Sequence, residues 1–242
     1  MKKWFIGGML IAFAFLIVAC GTTIPDDSLT GGAAADTACA SLDGMAQDNC
    51  YADHLRCSKV DDKTIRDSCV ADLAFKKEDS SVCNLITSEK TKGYCQEKFA
   101  EEKNDQSLCL EIKDQYWKDN CFFHFATSTA NGEDCSLIFD QEQKSTCFNK
   151  IAVDTNNSAL CQPILPQQRQ QSCLFSVAVE TVDIEICQQL VGPIVRDGCR
   201  TRLAEVTGDT KYCDYIGDDF IKKRCYERVK EDKPIKAGFV KQ

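Results

Sequence analysis

From Cys57 onward, apolar and polar positions recur along the chain with a period of 26 residues, and each period carries two cysteines in different surroundings. Four residues before the first cysteine stands Asp53, Asp79, Asp105, Asn131, Asn157, Asp183 or Asp209. Side chains of this kind accept from the unpaired N–H groups at a helix start. Three residues after that cysteine comes Val60, Ile86, Ile112, Ile138, Ile164, Leu190 or Ile216, so cysteine and aliphatic share one helix face. A first short helix of about two turns is expected from each Asx. The second cysteine is followed at four residues by Leu73, Phe99, Phe125, Ile151, Val177, Leu203 or Val229. The next position holds Ala74, Ala100, Ala126, Ala152, Ala178 or Ala204, with Lys230 in the last copy. This apolar set is a helix stripe, and the recurrent alanine points to a close neighbouring helix. Turn formers such as Pro166, Gly192–Pro193 and Gly217 separate the two helices, and no two-residue alternation of the strand type is sustained. The predicted fold is all-α: an α-solenoid of about seven helical hairpins.

The ends depart from the repeat as capping units do. Asp36, Cys39 and Leu42 echo a first helix, but only 18 residues separate Cys39 from Cys57, so this unit is shortened. At the other end Lys230 takes the buried alanine's place and Pro234 stops the helix. Helices this short are unstable alone in water. They need stacking between units and a covalent staple, each closed loop contributing on the order of 3 kcal/mol.

The other apolar feature precedes the repeats. After Lys2 and Lys3, residues 4–18 form an almost unbroken apolar run ending in Ile17-Val18-Ala19-Cys20. The run suits a signal-peptide core and is shorter than the roughly 20 residues a spanning helix needs. Its end resembles the lipobox of prokaryotic lipoproteins. That resemblance implies cleavage between Ala19 and Cys20, a lipid on the Cys20 sulfur and attachment to a membrane outside the cytoplasm. The expected organisation is a signal peptide over 1–19, a lipidated cysteine and flexible tether over 20–35, the repeat domain over 36–232 and a tail over 233–242. The repeats themselves resemble Cys-periodic proteins of prokaryotes, archaea included, a likeness that implies no activity.

The seventeen cysteines follow from that address. Close C-x-x-C pairs, which zinc and redox sites use, do not occur. Dispersed, regularly spaced cysteines in an exported chain read as a disulfide framework. The spacing alternates 12 and 14 from Cys57 on. Pairing across 14 orphans Cys39 and Cys225, whereas pairing across 12 uses all sixteen repeat cysteines, with Cys39–Cys50 at 11 as the one irregular member. The expected bonds are therefore Cys39–Cys50, Cys57–Cys69, Cys83–Cys95, Cys109–Cys121, Cys135–Cys147, Cys161–Cys173, Cys187–Cys199 and Cys213–Cys225.

Charge and side-chain chemistry narrow the function. Lys+Arg number 29 against 37 Asp+Glu, a net −8. Such a balance argues against a nucleic-acid binder, which needs a basic surface. Two histidines, His54 and His124, and no nucleophile or phosphate-loop motif leave little for catalysis. No cofactor or resident metal is expected. Arg66, Lys92, Lys118, Lys144, Arg196 and Lys222 stand three residues before the second cysteine. They would form either an ionic ladder with acids such as Asp67, Asp119 and Asp197 or a groove for an anionic ligand. Asn156 opens an N-x-S acceptor pattern, although Asn157 serves as a cap. Trp117, Phe123 and Phe175 are unusual for their repeat positions and are candidate partner contacts, with extra packing as the competing role. The expected function is a non-catalytic scaffold or binding module of the cell envelope, engaging a protein, glycan or polymer. A metal-binding or thiol-redox cysteine protein is the alternative.

Overall fold

The structure, a computed structural model, describes residues 32–231. The cleavage position at Ala19, the lipid site at Cys20, most of the tether, and the tail with Pro234 lie outside the described residues. Among the described residues the regular structure is all helical, with no strand. The chain opens with α1 (Gly32–Ala40) and α2 (Gly44–Asp53), then repeats a short helical turn followed by a long helix. A 3-10 turn at Cys57–Lys59 precedes α3 (Lys63–Lys77), one at Ser80–Leu85 precedes α4 (Glu89–Lys103), and one at Gln106–Glu111 precedes α5 (Gln115–Thr129). The short α6 (Gly132–Cys135) precedes α7 (Gln141–Asp154), and a turn at Ser158–Cys161 precedes α8 (Gln167–Thr181). The short α9 (Ile184–Gln188) precedes α10 (Pro193–Thr207), and a turn at Thr210–Tyr215 precedes α11 (Asp219–Glu231).

Consecutive long helices pack side by side, α2 on α3 and onward to α10 on α11, while each short turn sits between the long helices before and after it. The aliphatics after the first cysteine and the large residues after the second are buried, with Val229 half-buried. The recurrent alanines are fully covered. Seven disulfides join the short turn to the long helix of the same unit across 12 residues, and Cys39–Cys50 joins α1 to α2 across 11, all with Cα atoms 5.5–5.8 Å apart. Each unit is thus a stapled hairpin on a shared apolar interior.

The joint between units is built from backbone. The residue after each long helix from α3 on adopts a positive φ at Glu78, Asn104, Ala130, Val182 and Gly208, as does Asn156, two residues past the end of α7. This left-handed residue turns the chain so that the next N–H reaches back to the recurrent alanine carbonyl: Asp79 N to Ala74 O, Asp105 N to Ala100 O, Asn131 N to Ala126 O, Asn157 N to Ala152 O and Asp183 N to Ala178 O. The same Asx then caps the following turn, its side chain accepting from the N–H two residues on. One helix end and the next helix start therefore share a single residue. The second helix has its own cap, with Asp62, Ser88, Asp114, Asp140 and Asp218 accepting from first-turn N–H groups.

Several expectations change. The first helix is only a short turn, and in four of the 3-10 copies the aliphatic follows it directly in extended conformation, at Val60, Ile86, Ile112 and Ile216. It is buried all the same. Asp53 is the last residue of α2, not a cap, and the first turn opens at Cys57 after Arg56. The shortened first unit does not echo the others. Asp36 lies inside α1, which starts four residues before the expected boundary, and its carboxylate binds Arg56 at 2.8 Å and Lys59 at 2.7 Å. Hydrogen bonds from Lys59 and Arg56 hold the Asp36 carboxyl below the usual range. Leu42 is exposed.

The ladder between the column of basic residues before the second cysteine and Asp67, Asp119 and Asp197 is not formed either, although Asp197 pairs with Arg200 outside that column at 3.0 Å. Those acids, with Asp48, are buried, and their oxygens accept backbone N–H groups of the following unit. Asp48 takes Asp61 N and Asp62 N, Asp67 takes Thr87 N and Ser88 N, Asp119 takes Phe139 N and Asp140 N, and Asp197 takes Gly217 N and Asp218 N. Each carboxylate clamps one long helix to the start of the next, with charge-assisted bonds. The other copies show why chemistry varies at this position. Pro166 has no N–H, and facing it Ser145 donates to Leu165 O instead. At Gly93 a Cβ would fall 2.9 Å from Trp117 Cδ1, so an indole ring occupies the clamp's place. Among the basic residues, Arg66 and Arg196 donate to Val60 O and Leu190 O, Lys222 donates to Asp214 O, and Lys92 pairs with Glu89.

Candidate functional site

Because units repeat, residues at one repeat position line up along the array, and changes in their chemistry mark where the surface is specialised. Four residues after the first cysteine stand Asp61, Thr87 and Lys113 in the early units, but Phe139, Leu165 and Val191 in the next three. All three are exposed, Phe139 by 77%. Leu137, Ile194 and Val195 are exposed beside this position in sequence. Folding does not require this, since the early copies manage with polar residues. The clamps hold these loops: Phe139 N binds Asp119, Val191 N binds Gln171 Oε1, and Leu165 O accepts from Ser145. The apolar side chains are therefore presented on fixed backbone.

Clefts open between adjacent long helices and recur at matching positions. The one between α2 and α3 encloses about 460 Å³ and is lined by Asn49, Asp53, Thr64, Ser68 and Asp72 among others; burial raises the Asp72 carboxyl. The one between α7 and α8 encloses about 160 Å³ and carries Thr146, Asn149, Arg169 and Ser172. The one between α10 and α11 encloses about 340 Å³ and carries three arginines. Three residues after the second cysteine the sequence runs Asp53, Asp72, Lys98, His124, Lys150, Ser176, Arg202, Arg228, so the face passes from acidic to basic along the array.

The α4–α5 region is filled instead. Tyr94 and Trp117 rings meet at 5.1 Å, and Tyr116 packs on Trp117 at 5.0 Å. Lys98 pairs with Glu101 at 2.6 Å, and His124 Nδ1 lies 3.4 Å from the same carboxylate. Glu97 is 5% exposed, one of its oxygens is buried without a hydrogen bond, and burial raises its carboxyl above the usual value of 4.5.

The three aromatics singled out in the sequence part company. Trp117 is half-buried in the clamp's place, and Phe123 is half-buried against the core. Phe175 also touches the core but forms a wall of the α10–α11 cleft. Cys39, Cys50 and His54 lie within 4.8 Å of one another, but the two sulfurs are bonded to each other. All sixteen cysteines among the described residues are paired. Asn156 is exposed at its left-handed position. The apolar row and the α10–α11 cleft were missed by sequence reading. Aligning the repeats at four residues past the first cysteine would have exposed the first, but the cleft combines residues from three helices.

Compared with known families, curated proteins and solved structures, the chain matches none.

Proposed function

We propose that the chain is a cell-envelope lipoprotein that acts as a non-catalytic scaffold or binding module through its repeated helical surface. Eight disulfides in about 200 residues fit an oxidising, extracytoplasmic compartment, and no helix among the described residues is long and apolar enough to cross a membrane. The lipobox-like Ile17-Val18-Ala19-Cys20 supports anchoring through Cys20. The observation that carries the binding reading is the row Phe139, Leu165 and Val191. Exposed apolar residues in register across three units mark an interaction surface, and the partner it suits is an envelope protein, glycan or polymer with an apolar face.

Two measurements test the reading. A photo-crosslinking residue placed at 139, 165 or 191 in intact cells should give one common adduct, and one placed at exposed Glu111 should not. No adduct, or the same adduct from every site, would remove the binding reading. Cys20→Ser should abolish fatty-acid labelling and leave an unprocessed precursor; unchanged labelling would remove the anchor.

A further inference from the structure

The α10–α11 cleft has a composition unlike the rest of the acidic surface. Arg202 from α10 and Arg224 and Arg228 from α11 converge on it, with Phe175, Phe220 and Ile221 as apolar walls. Glu205 is the sole acid among the lining residues. It sits between two of the arginines, one oxygen 3.4 Å from Arg202 Nη1 and the other 3.0 Å from Arg228 Nη1. A single carboxylate cannot neutralise three guanidinium groups, so a net positive charge remains in a chain of net charge −8. Glu205 instead braces two of the arginines, which reduces the side-chain freedom lost when they bind something. The Arg224 guanidinium lies over the Phe220 ring, 5.8 Å from its centroid. Phe220 is itself 69% exposed.

The cleft is also kept open. Gly198 occupies the position just before the second cysteine, where the other described units carry Asn49, Ser68, Tyr94, Asn120, Thr146, Ser172 and Arg224. A Cβ at Gly198 would meet nothing within 4 Å, so packing does not force the glycine. It costs helix stability at an interior position and leaves space where its siblings have a side chain.

We infer that this cleft binds an amphipathic organic anion: a phosphate or carboxylate carried on an aromatic ring or short acyl body. The guanidinium groups match planar or tetrahedral oxyanions. The phenylalanines and Ile221 take the apolar body, and the volume lies in the range of small-ligand sites. The cleft is distinct from the basic column three residues before the second cysteine, whose Arg196 and Lys222 are engaged with backbone carbonyls. It goes beyond the partner reading, because a small anion in the cleft and a partner on the apolar row are read by different measurements.

The test is fluorescence-detected binding of 2-naphthyl phosphate to the full chain in a neutral detergent, without reductant. Saturable binding is expected, about ten-fold or more tighter than either inorganic phosphate or 2-naphthol in competition. Arg202→Gln/Arg224→Gln removes charge, whereas Gly198→Tyr fills the space and keeps every arginine. Each should weaken binding by about ten-fold or more with unchanged helical circular dichroism. Arg169→Gln, in the α7–α8 cleft, should bind as wild type. Absence of saturable binding, equal competition by phosphate or naphthol, or wild-type affinity in both cleft variants would overturn the assignment.

Discussion

Replacing Asp119 by alanine would remove the clamp between α5 and the start of α7 without touching a disulfide. The Asp119 side chain is 1% exposed, and its oxygens accept from Phe139 N, Asp140 N and Gln115 Nε2, each at 2.8 Å. Hydrogen bonds to a charged group contribute about 1.5–3 kcal/mol each. The Gln115 amide can turn to water after truncation, because Gln115 is exposed. The two backbone N–H groups are less free, since they are held against α5. Counting those two at the lower end, Asp119→Ala should cost about 3 kcal/mol. Asp119→Asn keeps one acceptor oxygen and should cost about half of that. The assay is guanidinium unfolding of the oxidised protein, with hydrogen exchange read at the Phe139 and Asp140 amides. Both amides should lose protection in the alanine variant, while the equivalent Thr87 and Ser88 amides, held by Asp67, should not. A loss below about 0.5 kcal/mol, the size of an exposed ion pair, with both amides still protected would refute the clamp.

The same repeat position should respond with the opposite preference where the receiving residue is proline. Ser145→Asp would set a buried carboxylate against Leu165 O and a residue without N–H, and should destabilise by about 2 kcal/mol or more, read in the same titration. Ala130 is exposed with φ 55°, so Ala130→Gly should relieve a left-handed strain that outweighs glycine's extra unfolded freedom. A gain of about 0.5–1 kcal/mol is expected in the unfolding midpoint, and a loss would contradict it. The Glu97 carboxyl is raised by burial, with Lys98 opposing and Glu101 adding to the effect. A carboxyl raised in the fold binds its proton more tightly there than in the unfolded chain, so folded stability falls as pH rises from the usual carboxylate range through the raised folded value. Glu97→Gln should therefore match wild type at pH 4 and be the more stable of the two at pH 8, judged by their midpoints; a variant less stable at pH 8 would contradict this.

Much of this architecture is legible in the sequence because its causes are local or periodic. Asx residues cap turns through N–H groups two residues away, and the buried aliphatics recur at one register from the cysteines. Disulfide pairing follows from parity, since only spacings of 11 and 12 use every repeat cysteine. Even the second cap at Asp62, Ser88, Asp114, Asp140 and Asp218 was readable as a column, though it lay hidden among the turn formers.

What the tertiary structure alone decided are relations whose partner is backbone or another unit. Asp67, Asp119 and Asp197 stand beside basic residues in the chain, and proximity suggested ion pairs. None pairs with its basic neighbour in sequence: all three accept N–H groups 20 and 21 residues on, which leave no side-chain pattern behind, and the one ion pair among them joins Asp197 to Arg200. The left-handed joints fall on Glu, Asn, Ala, Val and Gly alike, because alanine-carbonyl geometry sets the bend there and no residue type announces it. Asp36 and Asp53 looked like caps, but Asp36 lies inside α1, and the left-handed joint after α2 falls at Leu55, with Arg56 N–H donating to Tyr51 O, so Asp53 ends the helix before the joint instead of capping the turn after it. The α10–α11 cleft is made by side chains from three helices, with Phe175 on one, Arg202 on the next and Arg224 on the last. Sequence determines what each helix carries on that face, and only stacking decides that three guanidinium groups and two phenylalanine rings share one opening.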